Sequence, residues 1–142
     1  MNLILPLSDY NINHIYYGEK MKNTIIYNSF FIKIFYSTND IILNGIFLMI
    51  HLKNKNIYKE NGKNKISFNT KENMEIVNKI ELIEKAILHK INIINKTPRL
   101  SIYEQFKNGL LKLNYRNDNC SNNEECILKL SGIWENDNEY GI

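Results

Sequence analysis

Cations spaced between aromatic rings are the one pattern in this chain whose residue types could do chemistry. Phe31, Lys33 and Phe35 share one parity of the segment Ser29–Ser37, while Lys112, Asn114 and Arg116 share a parity of Leu110–Arg116. Lys129 and Ser131 do the same in Cys126–Trp134. Side chains alternate between the two faces of a strand, so three such strands in one sheet would collect all of these groups on one surface. Lysine and arginine neutralise phosphates while rings stack on bases, which is what single-stranded nucleic acid requires of a protein surface. Arginine adds stacking of its own. The candidate nucleic-acid-binding residues are therefore Phe31, Lys33, Phe35, Lys112, Arg116 and Lys129. The competing account makes these lysines the ordinary wet side of a half-buried sheet and packs Phe31 and Phe35 under a helix.

Nothing else in the chain has the spacing of a catalytic or metal-binding group. The sequence contains no G-x-S-x-G, Walker A, G-x-G-x-x-G or H-E-x-x-H pattern. His14, His51 and His89 fall in unrelated segments without an acidic neighbour at dyad spacing. Cys120 and Cys126 lack a second pair or a nearby histidine to complete a zinc framework and are expected to be reduced. The acids from Glu124 to Glu139 read as solvated. A non-enzymatic protein without metal or cofactor is the expectation.

These groups have to be positioned by strands. The most apolar stretch, Ser29–Leu52, splits at Ser37-Thr38-Asn39-Asp40 into two β-prone runs that can only form a hairpin. Phe30, Ile32, Ile34 and Tyr36 form the inward face of the first run. In the second, Ile42, Ile46, Leu48, Ile50 and Leu52 share a parity with Asn44, and Leu43, Gly45, Phe47 and Met49 share the other. Gly45 inside such a run marks a bulge, a bend or a close backbone neighbour.

Residues 1–23 read as an arm or lead-in, Thr24–Tyr27 as a short strand, and Lys65–Phe68 as another beyond Asn61-Gly62. Ile76, Ile80, Ile83, Ile87 and Ile94 follow three- and four-residue steps broken only at Lys90, which predicts a long amphipathic helix with wet-side pairs Glu75/Lys79 and Glu81/Lys85. Asn69 or Thr70 is its expected cap, and Pro98 its latest end. Ser101 and Glu104 have capping-box spacing for a short helix closed by Gly109. Strands are expected at Leu110–Arg116 and Cys126–Trp134, then a turn at Glu135–Asn138 into a last strand. The expected fold is α+β, a mostly antiparallel sheet of about five strands with one long and one short helix. An OB-like barrel and an open sheet with helices on one side are both consistent with that order.

At 142 residues the chain reads as one domain. Isoleucine, asparagine and lysine dominate, a bias that AT-rich codons produce. The net charge of +3 is unevenly spread. From residue 118 onward six acids face Lys129 alone, a balance of −5, which leaves +8 on residues 1–117. That division suits a polyanion without requiring one. The first ten residues lack the basic region and apolar core of a secretory signal. The longest apolar run, Ile41–Ile50, is too short to span a bilayer and contains Asn44 and Gly45. An intracellular protein without a membrane partner is expected.

The segment Ile127-Leu-Lys-Leu-Ser-Gly-Ile-Trp-Glu-Asn-Asp-Asn-Glu-Tyr-Gly141 resembles the closing segment of small, mostly uncharacterised proteins of nucleocytoplasmic large DNA viruses. There, a strand ending in S-G-I-W-E precedes a turn and a strand beginning near E-Y-G. Phe35-Tyr-Ser-Thr-Asn-Asp-Ile-Ile-Leu-Asn-Gly-Ile46 is similar to their internal Y-S-T…N-G-I/L pattern. The two stretches cover about a fifth of the chain. The resemblance implies a viral origin, in the host cytoplasm at a virus factory or in the virion, and no particular activity. Those proteins continue past this point through an aromatic and basic strand, so the resemblance implies a truncated copy in which Trp134 and the last strand lack a partner. The combined expectation is a viral accessory protein binding single-stranded DNA or RNA. The alternative is a virion structural or assembly protein that pairs with virion proteins or with itself through exposed strand edges.

Overall fold

The computed structural model describes residues 3–114 and 125–142. Its long central strand β3 (Phe30–Ser37) alternates as its sequence predicts, burying Ile32, Ile34 and Tyr36. Phe30, at the strand's end, is 40% exposed. One edge of β3 is taken along its whole length by β2 (Ile15–Lys22), with a bulge between Tyr17 and Lys20. The expected arm is therefore part of the fold. Short β1 (Ile4–Pro6) also joins a sheet, and Leu5 and Ile15 lie in the core. The stretch read as a strand at Thr24–Tyr27 is the turn that joins β2 to β3.

The other edge of β3 is shared. β4 (Ile42–Asn44) pairs with Phe35–Ser37 as the second half of the predicted hairpin, and β11 (Gly132–Glu135) pairs with Phe30–Lys33. The handover falls at Ile34, whose carbonyl accepts the Gly45 N–H at 2.9 Å and whose N–H donates to the Ser131 carbonyl at 3.1 Å. Beyond it the two chains leave β3 and pair with each other as β5 (Ile46–Ile50) and β10 (Cys126–Leu130), with β1 parallel on the far side of β5. Gly45 makes this branch with φ +93, a conformation open mainly to glycine, and a Cβ there would stand 3.2 Å from the Leu130 carbonyl oxygen.

Each chain also changes phase at the branch. Leu43 is buried before Gly45, and Ile46, Leu48, Ile50 and Leu52 after it. Ile42, read as a core residue with the latter set, is 75% exposed because the extra residue at Gly45 reverses the alternation. Likewise Leu130 and Ile133 are both buried, so Trp134 faces away from the core side of Leu130. The single strand expected from Cys126 to Trp134 is two.

β11 continues through a turn, in which Asn136 Oδ1 accepts the N–H groups of Asn138 and Glu139, into β12 (Glu139–Gly141). β12 lies between β11 and the parallel β8 (Thr97–Arg99), so the last strand and Trp134 are partnered after all. A third sheet joins β6 (Asn56–Glu60), β7 (Lys63–Ser67) and β9 (Leu110–Leu113). Asn61 and Gly62, both at positive φ, form the two-residue turn between β6 and β7. Among the described residues twelve strands in three sheets thus replace the expected sheet of about five, and no closed barrel forms.

The long helix α1 (Met74–Ile91) buries Val77, Ile80, Glu84, Ile87 and Leu88. It ends at Asn92, in the left-handed conformation, short of the limit set by Pro98. The expected cap lies too early. Asn69 accepts from the N–H groups of Lys71 and Glu72 in a preceding turn, and buried Asn73 occupies the cap position while its side chain holds both backbone groups of Lys53. Both predicted wet-side ion pairs form. α1 covers the inner face of the large sheet, where Tyr17 Oη donates to the Ile87 carbonyl at 2.6 Å. The short helix α2 (Ser101–Asn108) packs on α1 and closes at Gly109 as predicted. Phe106 of α2 meets Phe68, and the buried side chains form one cluster.

Candidate nucleic-acid interface

The face of the large sheet turned away from α1 is set by register, because directly paired residues on adjacent strands share a face. Met21, Phe31, Trp134, Gly141 and Arg99 stand in one row across β2, β3, β11, β12 and β8. A second row joins Tyr16, Phe35 and Asn44, and between the two rows Lys33 is paired with Gly132. Lys33, Tyr16, Met21 and Arg99 are exposed, while Phe31, Phe35 and Trp134 are half-buried.

What half-buries these rings is backbone. A Cβ on Gly18 would sit 3.0 Å from the Phe35 ring, and one on Gly141 would sit 2.9 Å from the Trp134 ring. A Cβ on Gly132 would collide with the Phe31 ring and with the Ile32 carbonyl. Each of the three rings therefore lies over a glycine of the adjoining strand, the use of a strand glycine that close approach requires. Phe31 and Phe35 do not pack under α1, which occupies the opposite face.

Of the predicted site, Phe31, Lys33 and Phe35 are brought together on this face. Lys129 belongs to β10, in the sheet that branches away. Its Cε nevertheless comes within 3.9 Å of where a Cβ on Gly45 would be, and its ammonium stands 5.3 Å from the centre of the Phe47 ring. Lys129 thus flanks the face at the branch next to Ile34. Lys112 is a different case. It lies on β9 in the third sheet, opposite Lys65, so the expected union of Lys112 with the β3 residues does not form. Arg116 lies outside the described residues, as does Cys120.

Among the described residues Lys33, Lys112 and Lys129 make no ion pair, whereas Lys20, Lys96 and Arg99 are engaged by carboxylates. Arg99 Nη1 reaches Glu139 Oε1 at 3.2 Å. Lys20 and Lys96 both bond Glu135, a buried carboxylate on β11. Burial alone would raise the Glu135 pKa, but the hydrogen bonds and charges of Lys96 and Lys20 outweigh it and hold the carboxyl below the usual range.

Sequence reasoning missed Trp134, Tyr16 and Met21 as members of this face. Trp134 was misassigned by the phase change at the branch, and Tyr16 and Met21 belong to the strand read as an arm. Elsewhere, a cleft of about 750 Å³ at the end of α1 is lined by Lys85, His89, Lys96 and Tyr140. Glu81 and Glu135 hold its two lysines, and Tyr140 Oη bonds the Leu88 carbonyl, which leaves no nucleophile–base pair among them. His14 packs edge-on against Tyr36, and no group of three potential metal ligands occurs among the described residues. Burial pushes the thiol of half-buried Cys126 above its ordinary pKa, with Lys55 acting in the opposite direction. Among the described residues no helix is long and apolar enough to cross a membrane.

Compared with protein-family models, with curated proteins and with solved structures, the chain has no significant match.

Proposed function

We propose that this protein binds single-stranded nucleic acid, DNA or RNA, on the outer face of its large sheet, without enzymatic activity, as an accessory protein of a large DNA virus. The observation that carries this reading is the set of rings laid on glycines beside a lysine that makes no ion pair among the described residues. A ring resting on backbone has already lost its rotamer freedom, so stacking a base on it costs little further ordering. Phe31 and Phe35 are four residues apart on one strand, about 13 Å, with Lys33 midway to meet a phosphate between two stacked bases. Lys129 supplies a second cation at the branch. The viral origin rests on the two sequence segments that resemble proteins of these viruses, and placement in the virus factory or virion follows from that origin.

Trp134 is the chain's one tryptophan and stands in the row with Phe31, which makes it a built-in reporter. Titration with oligo-dT is expected to quench its emission, and Phe31→Ala to weaken binding by about tenfold, the loss of one stacking partner. Unquenched emission at saturating oligonucleotide would place the site elsewhere.

The competing reading, a virion or assembly protein acting through protein contacts, draws on exposed Ile42 and Ile94, each 75% accessible. It predicts self-association in sedimentation that Ile42→Ser abolishes.

A further inference from the structure

The turn between β2 and β3 carries three consecutive apolar side chains, Ile25, Ile26 and Tyr27, exposed by 91%, 51% and 97%. Turns facing water ordinarily present glycine, asparagine, aspartate and serine, and here Asn23, Asn28 and Ser29 of the loop are engaged in hydrogen bonds while three apolar side chains stand at the tip. Asn23 Oδ1 accepts the N–H groups of Ile25 and Ile26, Ser29 Oγ donates to the Ile26 carbonyl, and Asn28 Nδ2 donates to Asp137. These bonds hold the loop so that its apolar side chains point into solvent. The tip follows directly on the row that contains Met21, Phe31 and Trp134, with Lys22 paired to Phe30 at the last position of the ladder. A strand running along β3 over Phe35, Lys33 and Phe31 would leave the sheet at this tip.

We infer that the tip stacks on the last base pair of a duplex, so that the preferred ligand is a junction between single-stranded and double-stranded nucleic acid. The inference rests on the single-strand reading of the adjoining face. Charge selects this occupant. Lys33 stands behind the tip on the outer face, with Lys20 and Lys22 on the opposite face and Lys20 bound to Glu135, whereas the tip itself is uncharged and its neighbour Asp137 is a carboxylate. Such a tip suits the neutral face of a base pair and opposes phosphates or an anionic bilayer. Apolar side chains wedged between base steps are an established way for proteins to hold bases unstacked, and the terminal pair of a duplex offers the same apolar face without that cost.

The test is fluorescence anisotropy with three probes, oligo-dT, a blunt duplex, and that duplex with a single oligo-dT tail, for the wild type and for Ile25→Ser with Tyr27→Ser. Both positions are exposed, and a thermal melt confirms that the variant stays folded. The tailed duplex is expected to bind about tenfold tighter than oligo-dT, and the variant to lose that margin while keeping its oligo-dT affinity. Equal affinity of the wild type for tailed duplex and oligo-dT overturns the inference and leaves the single-strand reading standing. Failure to bind any probe overturns both. Co-sedimentation with phosphatidylserine–phosphatidylcholine vesicles that the variant abolishes overturns the inference in favour of a lipid contact.

Discussion

Glu84 sits on the buried stripe of α1, a position that helical periodicity assigns to an apolar side chain, and is 1% exposed. Its carboxylate accepts the N–H groups of Ile102 and Tyr103 at 3.1 and 2.7 Å, replacing the expected Ser101–Glu104 capping box at the start of α2. One acid therefore caps a second helix and fixes it to the first. Glu84→Ala leaves two donors without a partner and is expected to cost about 2 kcal/mol in urea unfolding, with Glu84→Gln costing less because one acceptor oxygen survives. Burial raises the Glu84 pKa, the bonds from Tyr103 and Ile102 opposing it and nearby Glu104 adding to it. A carboxyl with a raised folded pKa contributes most below its unfolded value of about 4.3 and loses that contribution as pH rises through the folded pKa. Glu135 has the opposite sign. With its pKa depressed in the fold, it stabilises above the unfolded value and ceases to do so as pH falls through the folded one. Urea midpoints measured across the acid range should therefore fall less steeply for Glu135→Gln than for the wild type, from a lower value at neutral pH. A parallel curve would remove Glu135 from the acid response.

At the level of elements, the branch at Gly45 and Ser131 decides which residues face the core. Gly45→Ala is expected to destabilise by about 2 kcal/mol, since it combines a positive φ with a carbonyl oxygen close to the new methyl. Gly62→Ala in the β6–β7 turn has the positive φ but nothing within 4 Å, so its cost should be nearer 1 kcal/mol. Equal losses in urea melts would show that the branch is not tightly packed. The same two sites mark the limit of what was legible in the chain. The alternation of β3, its hairpin to β4, the helix stripe and the Gly109 stop were all readable, because each depends on residues near one another in sequence. Parity counting fails where a strand takes an extra residue, which is why Ile42 and Trp134 were assigned to the wrong faces. β2 escaped notice because it buries only Ile15 and otherwise reads as Tyr-Tyr-Gly-Glu-Lys-Met-Lys, without alternation. The Asn61-Gly62 turn was visible, but polar β6 before it was not.

For the molecule as a whole, parity states which face a residue takes within its own strand but not which sheet the strand joins. Hence Lys33 and Lys112 looked equivalent in the sequence and lie on separate sheets in the structure. They should behave differently: Lys33→Glu is expected to weaken oligo-dT binding by about tenfold, and Lys112→Glu to leave the affinity within about twofold, since loss of a phosphate contact matters only where the strand runs. Equal effects would mean that the ligand spans both sheets. The central claim is that Lys33 and its flanking rings meet a polyanion, and the salt dependence of that affinity tests it most directly. With Lys33 and Lys129 each contacting a phosphate, the logarithm of the oligo-dT association constant should fall against the logarithm of salt concentration with a slope of about −1.4, and Lys33→Glu should flatten it by about 0.7. A slope near zero, or one that Lys33→Glu leaves unchanged, would contradict the account.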